Sequence, residues 1–121
     1  MKTAAEHLDE LRKQLKESLS INMSGALDIL QHYGVEKQLL KLAEECRELE
    51  QAAIVAHRDL FFDCEVEKSH MDNLVEEIAD VCVVAYQILC WLGAENRVRE
   101  IARQKIERTH QRIAEEGKAK K

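Results

Sequence analysis

Not one of the 121 residues is proline, and only four are glycine. A chain so short of turn and strand punctuation has few ways to fold that are not helical. Proline breaks a helix interior and glycine loosens it. The chain is rich instead in Ala, Leu, Glu, Lys, Arg and Gln, the strong helix formers. Strand-type alternation is not evident. The sequence therefore predicts an all-α fold in one domain, residues 1–121, with 45% hydrophobic residues to form a core.

Apolar spacing divides the chain into helices. Leu8, Leu11, Leu15 and Leu19 recur at steps of three and four and mark a first amphipathic helix. Ser20 to Gly25 reads as a break, and Ser24 is the expected cap of a short helix that stops near Gly34. A long helix follows from about Glu36 to about Arg58, with Leu42, Cys46, Leu49, Ala53 and Ala56 as its core stripe. Asp59 to Ser69 loses the period and reads as a connection. A second long helix runs from about Asp72 to Leu92, with Leu74, Ile78, Val81, Ala85, Ile88 and Leu92 facing inward. Gly93 interrupts. The last helix spans about Glu95 to Glu116, is marked by Val98, Ile101, Ile106 and Ile113, and stops at Gly117 before a short basic tail.

The net charge of −5 argues against a nucleic-acid-binding surface, and the tail Lys118 to Lys121 reads as solvated. Met1 to Glu10 carries charges and lacks the apolar segment of a signal peptide. The apolar run Val81 to Leu92 is too short to cross a bilayer, so no membrane partner is expected. Of the four cysteines, Cys46, Cys82 and Cys90 fall in apolar helical stretches and are expected in the core; Cys64 falls in the connection. With no CxxC pair and no export signal, the expectation is reduced thiols in a cytoplasmic protein. Tyr33, Phe61, Phe62, Tyr86 and Trp91 are most simply core, with contact to a base as the second reading of Phe61 and Phe62.

The two long helices echo one another. Leu42-Ala-Glu44-Glu45-Cys46-Arg47-Glu48-Leu49 matches Leu74-Val-Glu76-Glu77-Ile78-Ala79-Asp80-Val81 in the pattern leucine, any, Glu, Glu, any, any, acid, aliphatic. At 100° per residue, Glu45 lies beside the first stripe and Glu48 one turn along on the same flank. Glu77 and Asp80 hold the equivalent places on the second helix. Glu44 and Glu76 point nearly away, as supporting or solvated acids. A single acid on a helix usually just faces water. Two acid pairs on matching flanks of packed helices would instead meet at the seam, where unpaired like charges are strongly unfavourable. A divalent cation relieves that cost, and an all-oxygen set suits Mg²⁺ or Mn²⁺ rather than zinc.

Glu44-Glu45-x-x-Glu48 followed by Glu77-x-x-Asp80 resembles the EExxE…ExxD signature of the MazG-like, all-α nucleoside triphosphate pyrophosphohydrolases. The likeness runs from about Gln38 to Arg108, with Gln38 and Lys41 ahead of the first motif and Lys105-Ile106-Glu107-Arg108 in the closing helix. It departs at Ala102-Arg103-Gln104, near which some relatives carry asparagine. The resemblance implies a MazG-like bundle with a core of two long antiparallel helices and a closing C-terminal helix, assembled as a homodimer or homotetramer. It implies hydrolysis of a nucleoside triphosphate between the α- and β-phosphates, with metal on Glu45, Glu48, Glu77 and Asp80. Glu45 or Glu48 would then also activate water, while Lys41, Lys105 and Arg108 hold phosphate oxygens.

Two other readings remain. Glu67-x-x-His70 and Glu107-x-x-His110, taken with Glu45 and Glu77, match the ligand steps of di-iron carboxylate bundles. A helical interaction module without catalysis would need no site at all.

Overall fold

The computed structural model describes residues 2–18, 23–63 and 65–119, the side chains of residues 14–18 excepted. It contains five helices: α1 Ala4–Ser18, α2 Ala26–Tyr33, α3 Val35–Phe61, α4 Lys68–Leu92 and α5 Glu95–Ala119. The side chain of Leu15, and all of Leu19, Ser20 and Cys64, lie outside the described residues. The all-α expectation holds, and no strand occurs among the described residues. Among the described residues, no single helix is long and apolar enough to cross a membrane.

Helices α3 and α4 form the body, and α2 packs on both. Gln38 meets Gln87 at one end of this pair, and Asp59 meets His70 at the other. The two helices are therefore antiparallel. Their corners are set by glycine. Gly34, at φ 86° and ψ 158°, is the single residue between α2 and α3. Gly93 ends α4 in the left-handed region at φ 62°. There its N–H donates to the Cys90 carbonyl and the Ala94 N–H donates to the Leu89 carbonyl. This paired closure favours glycine because a side chain disfavours that backbone.

Several boundaries differ from expectation. Gly25, not Ser24, occupies the N-cap position of α2. Helix α3 continues past Arg58 to Phe61, and α4 starts at Lys68 rather than Asp72. The helices extend because the seam does: Asp59 is buried there and held by His70, although its charge ended the apolar period. Helix α5 also runs through Gly117, which helical backbone tolerates at modest cost.

The seam itself is rotated from the predicted stripe. On α3 the buried side chains Gln38, Glu45, Ala52 and Asp59 fall at seven-residue steps, with Ala56 and the half-buried Leu42 and Leu49 between them. That is the spacing of a two-helix seam. Cys46 and Ala53, expected inside, are exposed. On α4 the half-buried Leu74, Glu77 and Val81 continue into buried Val84 and Ile88, while Ile78 and Leu92 face outward. Trp91, Tyr33, Phe61 and Phe62, expected in the core, are all more than half exposed. The buried apolar residues of α3 are the two alanines 52 and 56, so its seam face buries no large apolar side chain. The displaced apolar groups face a side that nothing else in the described chain covers.

Helix α5 does not close over this pair. It turns by 117° from α4 and has no buried residue. Its polar face is tied by local ion pairs, with Arg103 bound to Glu100 at 2.6 Å and Glu107 at 3.4 Å.

Candidate metal centre

The seven-residue register carries Glu45 into the seam rather than beside it. Glu45 is 5% exposed, a carboxylate held between two helices. Glu48 lies one turn along α3, and Glu77 faces both from α4. One oxygen from each of the three lies within 4.8 Å of the others. Ligand oxygens around one Mg²⁺, each about 2.1 Å from the ion, are at most about 4.2 Å apart, so small side-chain shifts close the set. These three form the described group of acids able to hold a metal ion.

The charges are not balanced within the chain. Lys41 Nζ sits 3.1 Å from Glu45 Oε1 and 3.5 Å from Glu44 Oε1. The Glu45 contact holds the Lys41 ammonium above its ordinary pKa, with the Glu44 charge adding to it. Glu45 Oε2 and Glu77 Oε2 are buried and have no donor among the described residues. The Glu48 carboxyl is pushed up, first by its hydrogen bond to Glu45 and then by the Glu45 charge. The cluster thus favours retention of a proton at Glu48, the expected result of crowding like charges. Orphaned buried oxygens and a carboxyl that resists ionisation both fit a site completed by a cation.

Asp80 is exposed and outside the group of three. It lines a recess of about 500 Å³ together with Glu45 and Lys41. Glu48 and Glu77 line a second recess, of about 320 Å³, with Arg58, His70 and Asn73. The carboxylate group therefore bridges two openings of the same seam. Glu44 is exposed at the Lys41 rim, and Glu76 is exposed on α4.

No known protein family, curated protein or solved structure matches this chain. What distinguishes the centre is its own geometry.

The structure does not bring all the sequence-selected residues together. Lys105 and Arg108 share a shallow recess of about 220 Å³ on α5 with Thr109 and Arg112, apart from the carboxylates. The two Glu-x-x-His steps lie apart from each other, with only His70 in the recess of Glu48 and Glu77. His70 places Nδ1 2.7 Å from Asp59 and Nε2 3.3 Å from Glu67, which engages both ring nitrogens. His110 lies on α5 in another recess, with Ile106 and Ile113. Cys46 is exposed, while Cys82 and Cys90 are half-buried; the Cys90 thiol donates to Glu95 Oε1 at 3.3 Å.

Gln87 stands out in the sequence as the polar residue inside the apolar run Val81 to Leu92, but spacing assigns it no role. It is fully buried, and its Oε1 accepts a 2.7 Å bond from Gln38 Nε2. A polar side chain there needs a partner, because burying it unpaired is unfavourable.

Proposed function

We propose that this chain is a Mg²⁺-dependent nucleoside triphosphate pyrophosphohydrolase that releases a nucleoside monophosphate and pyrophosphate, as its acid motifs resemble those of the MazG-like enzymes. The observation supporting the reading is the cluster of Glu45, Glu48 and Glu77 at the α3–α4 seam, in which Glu45 Oε2 and Glu77 Oε2 are buried without a hydrogen-bond partner among the described residues. An acidic surface has no reason to bury such atoms; a cation site does.

Glu45, Glu48 and Glu77 would hold the ion, with Asp80 joining from the larger recess. Mg²⁺, or Mn²⁺ in its place, supplies charge neutralisation for phosphate oxygens and a more acidic bound water. Glu45 or Glu48 would take the proton of that water. Lys41 stands at the rim, where its ammonium is available to a phosphate. Lys105 and Arg108 stand apart on α5, so a phosphate-holding role for them requires a second copy of the chain. A homodimer or homotetramer is part of the proposal, supported by Ile54, Ile78, Trp91 and Leu92 exposed on the body.

The deciding experiment incubates the protein with Mg²⁺ and a panel of standard and modified nucleoside triphosphates, and measures pyrophosphate and orthophosphate separately. Pyrophosphate and a monophosphate from at least one substrate support the reading. Orthophosphate and a diphosphate, or no turnover of any, would reject it.

A further inference from the structure

The larger recess holds a second orphan. Gln87 Nε2 is buried without a hydrogen-bond partner among the described residues, although the other end of the same amide is engaged by Gln38. Gln87 Oε1 accepts from Gln38, and the atom of the amide left without a partner is the donor Nε2. Both glutamines line the recess that also contains Glu45. Its exposed rim carries Lys37, Lys41 and Tyr33, and its buried floor is formed by Gln38, Glu45, Val84 and Gln87. Ile29 and Val83 add apolar wall.

This is the composition of a small-molecule pocket: apolar walls, a fixed amide pair, and charged groups of both signs in Lys37, Lys41, Glu45 and Asp80. We propose that the recess takes the heterocyclic base of the nucleotide, and that Gln87 Nε2 donates to an acceptor atom on that base, a carbonyl oxygen or a ring nitrogen. The assignment rests on the nucleotide reading above. Val83, Val84 and Ile29 cover the faces of the base, and the Tyr33 ring at the rim offers a stacking surface. Gln38 fixes the orientation of the Gln87 amide and is a positioning residue. Phe61 and Phe62 are poorly placed to touch the base, since Phe61 lies 13 residues beyond Glu48, about 20 Å along α3.

The test is calorimetric binding, with Mg²⁺, of α,β-methylene analogues of nucleoside triphosphates bearing different bases, alongside inorganic tripolyphosphate. The parent should bind at least one nucleotide more tightly than tripolyphosphate and discriminate among bases. Gln87→Met, which keeps the volume but removes the donor, should weaken the preferred analogue on the order of tenfold. It should also flatten the discrimination and leave tripolyphosphate unchanged. The double variant Gln38→Leu/Gln87→Met removes both amides, leaves no unpaired glutamine, and should bind like the single variant. Nucleotides bound no better than tripolyphosphate, or an equal loss for all analogues in the double variant, overturns the proposal. Base-selective binding lost in Gln87→Met without any pyrophosphate release would sink the catalytic reading and keep this one. Base-independent turnover unaffected by Gln87→Met would do the reverse.

Discussion

Lys41 and Glu45 form an ion pair of 3.1 Å within α3, and only one oxygen of the buried carboxylate takes part in it. The other oxygen is buried without a partner among the described residues, and Glu48 and Glu77 stand beside the same carboxylate, so the lysine offsets only part of the cluster's charge.

Glu77→Gln should accordingly raise the metal-free melting temperature, because it removes one like charge from a half-buried cluster. The same change should abolish the Mg²⁺-induced stabilisation, which in the parent is about 2.7 kcal/mol at a hundredfold excess over Kd. Turnover should be lost with it. Glu44→Gln, at an exposed residue, should keep both. Thermal melts with Mg²⁺ and with a chelator, run beside pyrophosphate release, decide the matter; a normal Mg²⁺ response in Glu77→Gln is the adverse result.

The Asp59–His70 contact makes a prediction about acid. The His70 hydrogen bond, followed by the Glu67 backbone N–H, lowers the Asp59 carboxyl below its ordinary 3.8 against the opposing effect of burial. The folded chain thus keeps Asp59 ionised to lower pH than the unfolded chain does. Its stabilisation is intact above 3.8 and vanishes as pH falls through the lowered folded value. Denaturant melts of the parent and Asp59→Asn between about pH 6 and pH 2 should show the parent ahead at the upper end. The gap should close in the acid range. A constant gap would mean that the charge of Asp59 has no part in it.

At the α4–α5 corner, Gly93→Ala should destabilise by about 1–2 kcal/mol. A Cβ there meets nothing within 4 Å, so the cost is backbone strain at φ 62° rather than a clash. Gly117→Ala is the contrast, since that glycine lies inside α5 with open space around it. It should be neutral or stabilising by roughly 0.5–1 kcal/mol. Equal melting temperatures for the two variants would contradict the strained corner.

Assembly is the fourth prediction. Leu40, Ile54, Val75, Trp91 and Leu92 are each more than half exposed on α3 and α4, with Ile106 and Ile113 likewise on α5. A chain on its own leaves these groups in water, and a second copy offers complementary cover. Sedimentation at micromolar concentration should give at least twice the 14.0 kDa of one chain. Replacing Ile54 and Trp91 with Glu and Lys should shift the population toward the monomer. A 14.0 kDa species alone for the parent would count against assembly.

The sequence by itself determined the helical class, since a chain without proline and with four glycines has little else to form. It placed the corners at Gly34 and Gly93, because a left-handed residue is a local requirement that one glycine meets. It also marked Glu45, Glu48 and Glu77, because an acid pattern repeated on two helices is visible without knowing how they pack. Only the tertiary structure decided the register. Helical periodicity identifies which residues share a face, but not which face a partner helix covers. Here α3 and α4 meet on the side carrying Gln38, Glu45, Ala52, Ala56 and Asp59, so Cys46, Ala53 and Ile78 were left outside. Tertiary structure likewise set Gln38 against Gln87, 49 residues apart. It also turned α5, expected to close the bundle, 117° from α4 and left it without a buried residue. Contacts of that kind depend on where two helix faces meet in space, and no spacing within either helix encodes that.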